Sequence, residues 1–168
     1  VRNTENPLHE SITAYHPFDG DGMVHAVRFA GGRASYRNRF VRTEGLLAEQ
    51  EAWRSLWAGL AENPKVAVRT DGLTARGAMK DASSTDVVVH NGEVLTSFWQ
   101  CGELYRLDPD TLDTLGPTRW DGWVPPEGVS ARPRRRRELR RETRRAAAPS
   151  ARRGGEGRES WRRSRSRS

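Results

Sequence analysis

The stretch VVVHNGEVLTSFW, residues 87–99, places an Asn-Gly pair between two runs of β-branched and apolar residues. Asn91-Gly92 supplies both positive φ angles of a type I′ turn, so the stretch predicts a tight β-hairpin. Residues 104–107 (LYRL) follow as a third short strand, and Asp108-Pro109-Asp110 is typical of a closing turn. Short strands this close together favour an antiparallel meander of the kind that builds propeller blades over a parallel α/β sheet. The predicted class is therefore mainly β.

A second hairpin is predicted nearer the N-terminus. Apolar and polar residues roughly alternate over residues 23–29, and a second strand-like run covers residues 34–41. Gly31-Gly32 lies between the two runs and suits the turn.

One amphipathic helix is predicted after this hairpin. Thr43 is a suitable N-cap, and Asn63-Pro64 is expected to end the helix because proline disfavours the helical conformation at the residue before it. The apolar positions that recur at helical spacing are Leu46, Trp53, Leu56, Trp57 and Leu60. Residues 65–84 are interpreted as a connection with one short strand at residues 66–69.

Length and composition favour one modest domain. The chain has 168 residues and is 35% hydrophobic. It contains no apolar run of the roughly 20 residues that a membrane span needs, and no basic segment followed by an apolar one at its start. The expected compartment is therefore the cytoplasm. The single cysteine, Cys101, excludes an internal disulfide, and we expect it to be a buried packing residue.

The net charge of +7 is distributed unevenly along the chain. Residues 129–168 hold 16 Arg and 4 Glu, a balance of +12, whereas residues 1–128 hold 13 basic and 18 acidic residues, a balance of −5. The basic segment has few large apolar residues, so it cannot bury enough surface to offset its chain entropy. The sequence thus predicts an acidic folded part and a disordered, Arg-rich tail.

The stretch YHPFDGDGMVH, residues 15–25, gathers acids and histidines as a metal site would. Asp19 and Asp21 lack the further oxygen ligands of a calcium loop, and a phosphate loop would need a lysine and a following helix. We interpret the stretch as a tight turn in which aspartate side chains bind nearby backbone N–H groups. The four histidines of the chain show no metal-binding spacing, and we assign them structural or surface roles: His9, His16, His25 and His90.

Five stretches in order identify a family resemblance. They are VRNTENPL (1–8), YHPFDGDGMVHAVRF (15–29), ASYRNRFVRTEG (34–45), STDVVVHNGEVL (84–95) and ELYRLDPDTLDTLG (103–116). Together they resemble the carotenoid cleavage oxygenases, including the lignostilbene dioxygenase and apocarotenoid oxygenase branches. The resemblance covers residues 1–131, the first part of enzymes that are several times longer.

The resemblance implies the fold and chemistry of the family. Its members are seven-bladed β-propellers that hold a non-haem Fe(II) on four histidines beneath a dome of loops enclosing an apolar tunnel. They use O₂ to split a carbon–carbon double bond of a carotenoid, apocarotenoid or stilbene into two carbonyl products. Imidazole ligands suit such an iron. Residues 1–131 would then form the first one or two blades, with the one amphipathic helix.

Arg132 departs from the family pattern. The first iron-binding histidine of the family lies in a Ser-Ala-His-Pro string, and this chain has Ser130-Ala131-Arg132-Pro133. A guanidinium stays protonated and offers no lone pair to a metal, so Arg132 cannot replace the imidazole. The resemblance implies that the other three ligands lie on later blades. We therefore expect this chain to bind no iron and to be inactive by itself.

The tail 132–168 begins where the resemblance ends. One hypothesis is that a frameshift converted the following sequence into an Arg-rich alternative frame. The start at Val1 instead of a methionine agrees with a fragment at both ends. A competing hypothesis is a small protein that binds RNA or DNA phosphates through the tail.

Trp99 is the one candidate substrate-tunnel residue. The resemblance places residues 96–100 on an inner part of the fold near the tunnel, where stilbene-cleaving relatives tend to have a lysine that contacts a phenol oxygen. An indole cannot make that cationic contact, so Trp99 favours an apolar polyene substrate. A core tryptophan is the alternative interpretation.

Overall fold

A computed structural model of the chain describes residues 1–72, 78–99, 102–125 and 128–129. In these ranges no helix is long and apolar enough to cross a membrane. The prediction that Cys101 is buried and the prediction that the tail is disordered both fall outside the described residues.

The N-terminal sheet has three antiparallel strands in the order β1-β2-β3. They are β1 (Arg2–Asn6), β2 (Asp21–Ala30) and β3 (Arg33–Phe40). The predicted hairpin is confirmed, because β2 and β3 are joined at Gly31 and Gly32, which have φ angles of 55° and 71°. β1 was not predicted; its polar sequence has no strand signal, and it pairs with the first half of β2, from Arg2 opposite His25 to Asn6 opposite Asp21.

The second sheet is a four-stranded antiparallel meander in the order β4-β5-β6-β7. Its strands are β4 (Asp86–His90), β5 (Glu93–Ser97), β6 (Leu104–Leu107) and β7 (Thr114–Thr118). The predicted hairpin and third strand are confirmed, with Asn91 and Gly92 at φ angles of 51° and 83°. Asp108 Oδ1 makes the predicted turn by accepting hydrogen bonds from Asp110 N at 2.9 Å and Thr111 N at 2.7 Å. The sequence did not reveal β7, whose Gly-Pro pair is tolerated because the strand lies at a sheet edge.

One helix, α1 (Glu44–Ala52), lies between the sheets in sequence, and it is shorter than predicted. The N-cap is confirmed, since Thr43 Oγ1 accepts from Leu46 N at 3.1 Å. The helix ends at Trp53, which adopts the left-handed conformation at φ 54° and is 84% exposed. The carboxylate of Glu49 is buried and accepts from Leu56 N at 2.8 Å, which binds the departing chain to the helix. The predicted extension of the helix to Asn63-Pro64 was wrong, because the chain leaves the helical conformation at Trp53.

The segment after the helix differs from the prediction as well. Leu56 and Trp57 are buried but belong to no helix. Asn63 caps a single 3₁₀ turn, Pro64–Val66, and no strand forms at residues 66–69. Val68 N and Arg69 N instead both donate to the carbonyl of Leu56 at 2.9 Å.

The second sheet is covered by apolar residues on both faces. One cluster joins it to the N-terminal sheet: Val24, Val41, Val94, Tyr105, Leu107 and Leu112. The opposite face carries a second cluster: Leu95, Leu104 and Val124, with Trp120 and Val129 packed against them. Val94 and Leu95 are neighbours in β5 and point to opposite faces, as the two-residue period of a strand requires.

Candidate functional site

The turn predicted around Asp19 is present. Asp19 N donates to His16 O at 2.9 Å, and His16 N donates to Asp19 Oδ2 at 3.1 Å. The other carboxylate oxygen accepts from Leu60 N at 2.8 Å, so the turn is tied to the segment after α1. Gly59 allows this approach, since a Cβ there would lie 2.2 Å from Asp19 Oδ2. Asp19 therefore joins two loops.

The turn prediction was wrong for Asp21, which lies in a strand and is held by a distant side chain. It is the first residue of β2 and is only 2% exposed, and its Oδ1 lies 2.8 Å from Lys80 Nζ. The same ammonium lies 2.5 Å from Glu49 Oε2. Burial lowers the pKa of Lys80, but the charges of Asp21 and Glu49 outweigh it and hold that pKa above its ordinary value. Asp21 is thus one member of a buried ion triad, which we define as Asp21, Glu49 and Lys80.

Sequence reasoning missed the other two members of this triad. Glu49 lies in a helix that was predicted from its apolar positions, and Lys80 lies in a stretch without a clear period. The available signal was one of only two lysines in the chain, Lys65 and Lys80, both in the connection between residues 65 and 84. Because Lys80 follows Asp21 by 59 residues, only the folded chain shows the pairing.

Asp81, next to the triad member Lys80, is a buried carboxyl group that sequence reasoning also missed. It is 2% exposed, and it accepts from Ser83 N at 3.0 Å and from Glu103 N at 2.6 Å. No ion pair found among the described residues includes it. Burial raises the pKa of Asp81 to about 7, although the two backbone hydrogen bonds oppose the rise. Gly102 makes room for the carboxylate, since a Cβ there would lie 2.5 Å from Asp81 Oδ1.

The described histidines do not fit an iron site. Both ring nitrogens of His25 are engaged, with Thr4 Oγ1 at 2.9 Å and Tyr36 Oη at 2.6 Å. The Nδ1 atom of His16 accepts a backbone N–H two residues further on, and the ring of His90 packs edge-on against an indole. Within the described ranges no group of three His, Cys, Asp or Glu side chains could hold a metal ion. Arg132, which occupies the position of the first iron-binding histidine in the resemblance, lies outside these ranges.

Trp99 directly follows β5. Its backbone N–H donates to Thr85 Oγ1 at 3.0 Å, and its ring centroid lies 6.0 Å from that of the buried Phe98. Trp99 is 37% exposed. The tunnel assignment remains a prediction.

Comparison with known proteins defines the class of this mainly β chain. A family model described as retinal pigment epithelial membrane protein matches residues 1–142. The chain therefore belongs to this family, in which the curated relatives include carotenoid and stilbene cleavage oxygenases. The resemblance to the carotenoid cleavage oxygenases is confirmed, and the match continues eleven residues beyond Ala131.

Individual relatives agree with this placement. Resveratrol cleavage oxygenase 1 of Chaetomium globosum is 39% identical over 117 residues, which are 70% of this chain and 19% of the relative. Apocarotenoid-15,15'-oxygenase of Synechocystis is 36% identical over 103 residues, which are 60% of this chain and 20% of the relative. The crystal structure of Pseudomonas brassicacearum lignostilbene dioxygenase matches with a TM-score of 0.62 and 28% identity, over 79% of this chain and 26% of that one. The chain thus spans only 19% to 26% of the length of these relatives.

Proposed function

We propose that this chain is the N-terminal part of a non-haem Fe(II) dioxygenase that cleaves a carbon–carbon double bond of a carotenoid, apocarotenoid or stilbene. The observation that carries the proposal is the family match over residues 1–142. The names of three relatives, a resveratrol cleavage oxygenase, an apocarotenoid oxygenase and a lignostilbene dioxygenase, indicate the substrate class.

The proposed architecture is the beginning of a seven-bladed propeller, of which residues 1–131 would form one or two blades. The four-stranded meander β4-β5-β6-β7 supports this proposal, because a propeller blade is such a meander. The apolar clusters on both of its faces also support it, since a blade is packed between two neighbours.

The proposed reaction adds both atoms of O₂ to the two carbons of one alkene, which separates them into two carbonyl groups. The iron would activate O₂ beside the bound alkene. Within this chain Trp99 is proposed to line the tunnel, where its exposed indole would contact an apolar part of the substrate. None of the histidines in the described part of the chain is proposed to take part in the reaction.

We propose that the chain by itself is inactive. Arg132 replaces the first iron ligand of the family, and the resemblance assigns the remaining ligands to later blades. The test is an aerobic assay of the purified chain, supplied with Fe(II), on a stilbene and on an apocarotenal. We expect no O₂-dependent carbonyl product from either substrate, and catalytic turnover of either one would refute the proposed inactivity.

The origin of the Arg-rich tail 132–168 is a separate proposal. If a frameshift created it, a neighbouring reading frame after the codon for Ala131 should encode a His-Pro string followed by strand-like sequence. Reading the coding DNA tests this directly, and the absence of such a string from both other frames would exclude the frameshift.

A second candidate function rests on the charge of the same tail. Sixteen arginines in residues 129–168 would bind nucleic acid through phosphates, with an affinity that falls steeply as salt rises. A salt titration of the full chain and of a chain ending at Ala131, against unrelated RNA and DNA, separates this candidate from the oxygenase proposal. Binding that is lost on truncation supports a phosphate-binding tail, and binding that survives truncation argues against it.

A further inference from the structure

The far half of the β2–β3 hairpin, residues 27–36, stands clear of the rest of the described chain. Every residue in this range is exposed. A Cβ added at Gly31 or at Gly32 would have no heavy atom of the described chain within 4 Å, so the turn is open as well. The proposed oxygenase reaction makes no use of this part of the chain, and its surface is free to meet a partner.

One face of this half is apolar. Val27 lies opposite Tyr36, and Phe29 lies opposite Ala34. Residues that are paired across an antiparallel ladder share a face, and so do residues two apart in one strand. The three large side chains of this face are 52% (Val27), 61% (Tyr36) and 80% (Phe29) exposed. Exposed apolar groups that are gathered on one surface indicate a binding site, whereas single exposed residues do not.

The ring of Tyr36 is held in place within this face. Its hydroxyl lies 2.6 Å from His25 Nδ1 and accepts from Asn38 Nδ2 at 3.2 Å. The Tyr36 and His25 rings also stack, with their centroids 6.0 Å apart. The polar end of the tyrosine is thus paired inside the hairpin while its ring stays exposed. A side chain that is already ordered loses less conformational entropy when a partner binds it.

The charge of the hairpin is opposite to that of the chain around it. Residues 22–43 hold five arginines and no acidic residue. Residues 1–21 and 44–128 together hold 8 basic and 18 acidic residues. A basic patch on an otherwise acidic unit attracts anionic partners, and salt screens this attraction.

Two of the arginines are available to such a partner. Arg37 already donates to the carbonyl of Asp110, and Arg39 forms its ion pair with Asp113. In contrast, none of the ion pairs found among the described residues includes an arginine beside the turn, which means Arg28 and Arg33. The long stem of an arginine allows its guanidinium to reach past the edge of a two-stranded hairpin.

An anionic lipid surface offers what both the apolar face and the arginines need. Segments that lie on membranes bury aromatic side chains at the boundary between headgroups and acyl chains and bring arginines to anionic headgroups. A nucleic acid has phosphates but no apolar layer for Val27 and Ala34. A second copy that paired through the same face would bring like charges together. We propose that the far half docks on an anionic lipid surface, with Phe29 inserted and Arg28 and Arg33 at the lipid phosphates.

The test must report on the hairpin itself, because the 16 arginines in residues 129–168 would also attract the chain to anionic lipid. The full chain, labelled with ¹⁵N, is mixed with phosphatidylcholine bicelles that contain phosphatidylglycerol and a lipid spin-labelled near the start of its acyl chain. We expect the amide signals of Phe29, Gly31 and Gly32 to broaden, and that of the buried Gly22 to stay sharp. Broadening that spares the hairpin, or that is equal at Gly22, would overturn the proposal.

Three further samples test the alternatives. Bicelles of phosphatidylcholine alone should broaden the hairpin signals much less, and equal broadening would overturn the role of the arginines. An oligonucleotide without lipid should not shift the ring signals of Phe29, and a saturable shift would mean a nucleic-acid surface and overturn the proposal. Shifts of the same signals that depend on protein concentration in lipid-free buffer would mean self-association and would overturn it too.

A matched pair of variants isolates the inserted ring. Phe29→Ala leaves the charge unchanged, and partitioning of the full chain into anionic vesicles, measured by sedimentation, should weaken at least roughly tenfold. Trp123→Ala is the control, because Trp123 is 79% exposed and lies outside the hairpin, and its partitioning should be unchanged. Equal partitioning of the two variants would overturn the proposal.

A second pair of variants isolates the charge. Arg33→Gln should weaken partitioning about fivefold at low salt, and this loss should disappear at high salt. Arg54→Gln removes the same charge from an exposed position outside the hairpin and should have a smaller effect. Equal losses would show that only the net charge of the chain matters and would overturn the proposed contact of Arg33.

Discussion

The two halves of the β2–β3 hairpin differ in how far their side chains are buried, although the same two strands form both. The half that starts at Asp21 is held by Lys80 and packs Val24 into the core shared with the second sheet. The far half, residues 27–36, is exposed on both faces, with Phe29 at 80%. Strand pairing is continuous across both halves, so pairing alone does not fix where the chain is stabilised. We call the half that starts at Asp21 the near half. The difference indicates that buried charges and apolar clusters at the near half stabilise the hairpin.

The largest effect is expected from Lys80→Met. The change removes the ammonium and leaves the buried carboxylates of Asp21 and Glu49 without a cation, which costs about 3–5 kcal/mol when one partner of a buried ion pair is lost. Urea unfolding should show this loss of stability. Lys65→Met is the matched control, since Lys65 is exposed, and should change little. Equal stability of the two variants would mean that the triad does not stabilise the near half.

A pH dependence should follow from Asp81. Its pKa is about 7 in the folded chain and near 3.8 in the unfolded chain, so between these values the folded state binds the extra proton. The free energy of unfolding should therefore fall as the pH rises from about 4 to 7, by roughly 4 kcal/mol in total, and the Asp81 contribution should not change above that window.

Asp81→Asn provides the comparison for this pH dependence. The amide cannot ionise, so the Asp81 contribution to the slope between pH 4 and 7 should vanish in urea midpoints measured across that range. A slope that is the same in the variant would show that other groups cause it. The variants Leu107→Ala and Phe29→Ala described below should keep the slope of the parent chain.

The buried core beside one half of the hairpin and the exposed surface of the other half can be compared by truncating one apolar side chain in each. Leu107→Ala removes a 1% exposed residue from the core that holds the near half, and should cost about 2–5 kcal/mol. Phe29→Ala, at the exposed far half, should change stability by less than about 0.5 kcal/mol. Urea midpoints of both variants test the difference. A large loss for Phe29→Ala would show that the far half is covered in solution.

The smallest effect is expected from Arg39→Ala. Arg39 links β3 to Asp113 through a 3.6 Å ion pair in which both side chains are more than half exposed. Such surface pairs contribute about 0–1 kcal/mol and are screened by salt. The stability difference between the variant and the parent should be small in dilute buffer and vanish at high salt. A difference that persists at high salt would point to packing by the arginine stem.

Much of the fold could be predicted from the sequence because turns and helix caps depend on residues that are close together in the chain. The Asn-Gly turn, the Gly-Gly turn and the Thr43 cap each act within a few residues, and each is found where the sequence placed it. The length of α1 was not predictable, since the chain leaves the helix at Trp53 and the next segment is held by the bond from Leu56 N to Glu49 in the folded chain. β1 was missed for the same reason, because its polar residues become a strand only by pairing with β2.

The site was less predictable than the fold. Asp19 could be assigned to a turn from its neighbours, whereas the roles of Asp21, Lys80 and Asp81 depend on contacts between distant segments. The unpaired nitrogens of His9 and Trp57 likewise have no sequence signal, because burial decides whether a polar atom needs a partner. The assignment of Arg132 to the position of an iron-binding histidine rests on the family motif in the sequence and stays a prediction.

The central proposal is that this chain belongs to an iron oxygenase family but does not bind iron by itself. An anaerobic Fe(II) titration of the purified chain tests it most directly. After removal of loosely bound metal, metal analysis should find far less than one iron per chain. Iron near one per chain, retained through buffer exchange, would contradict the account.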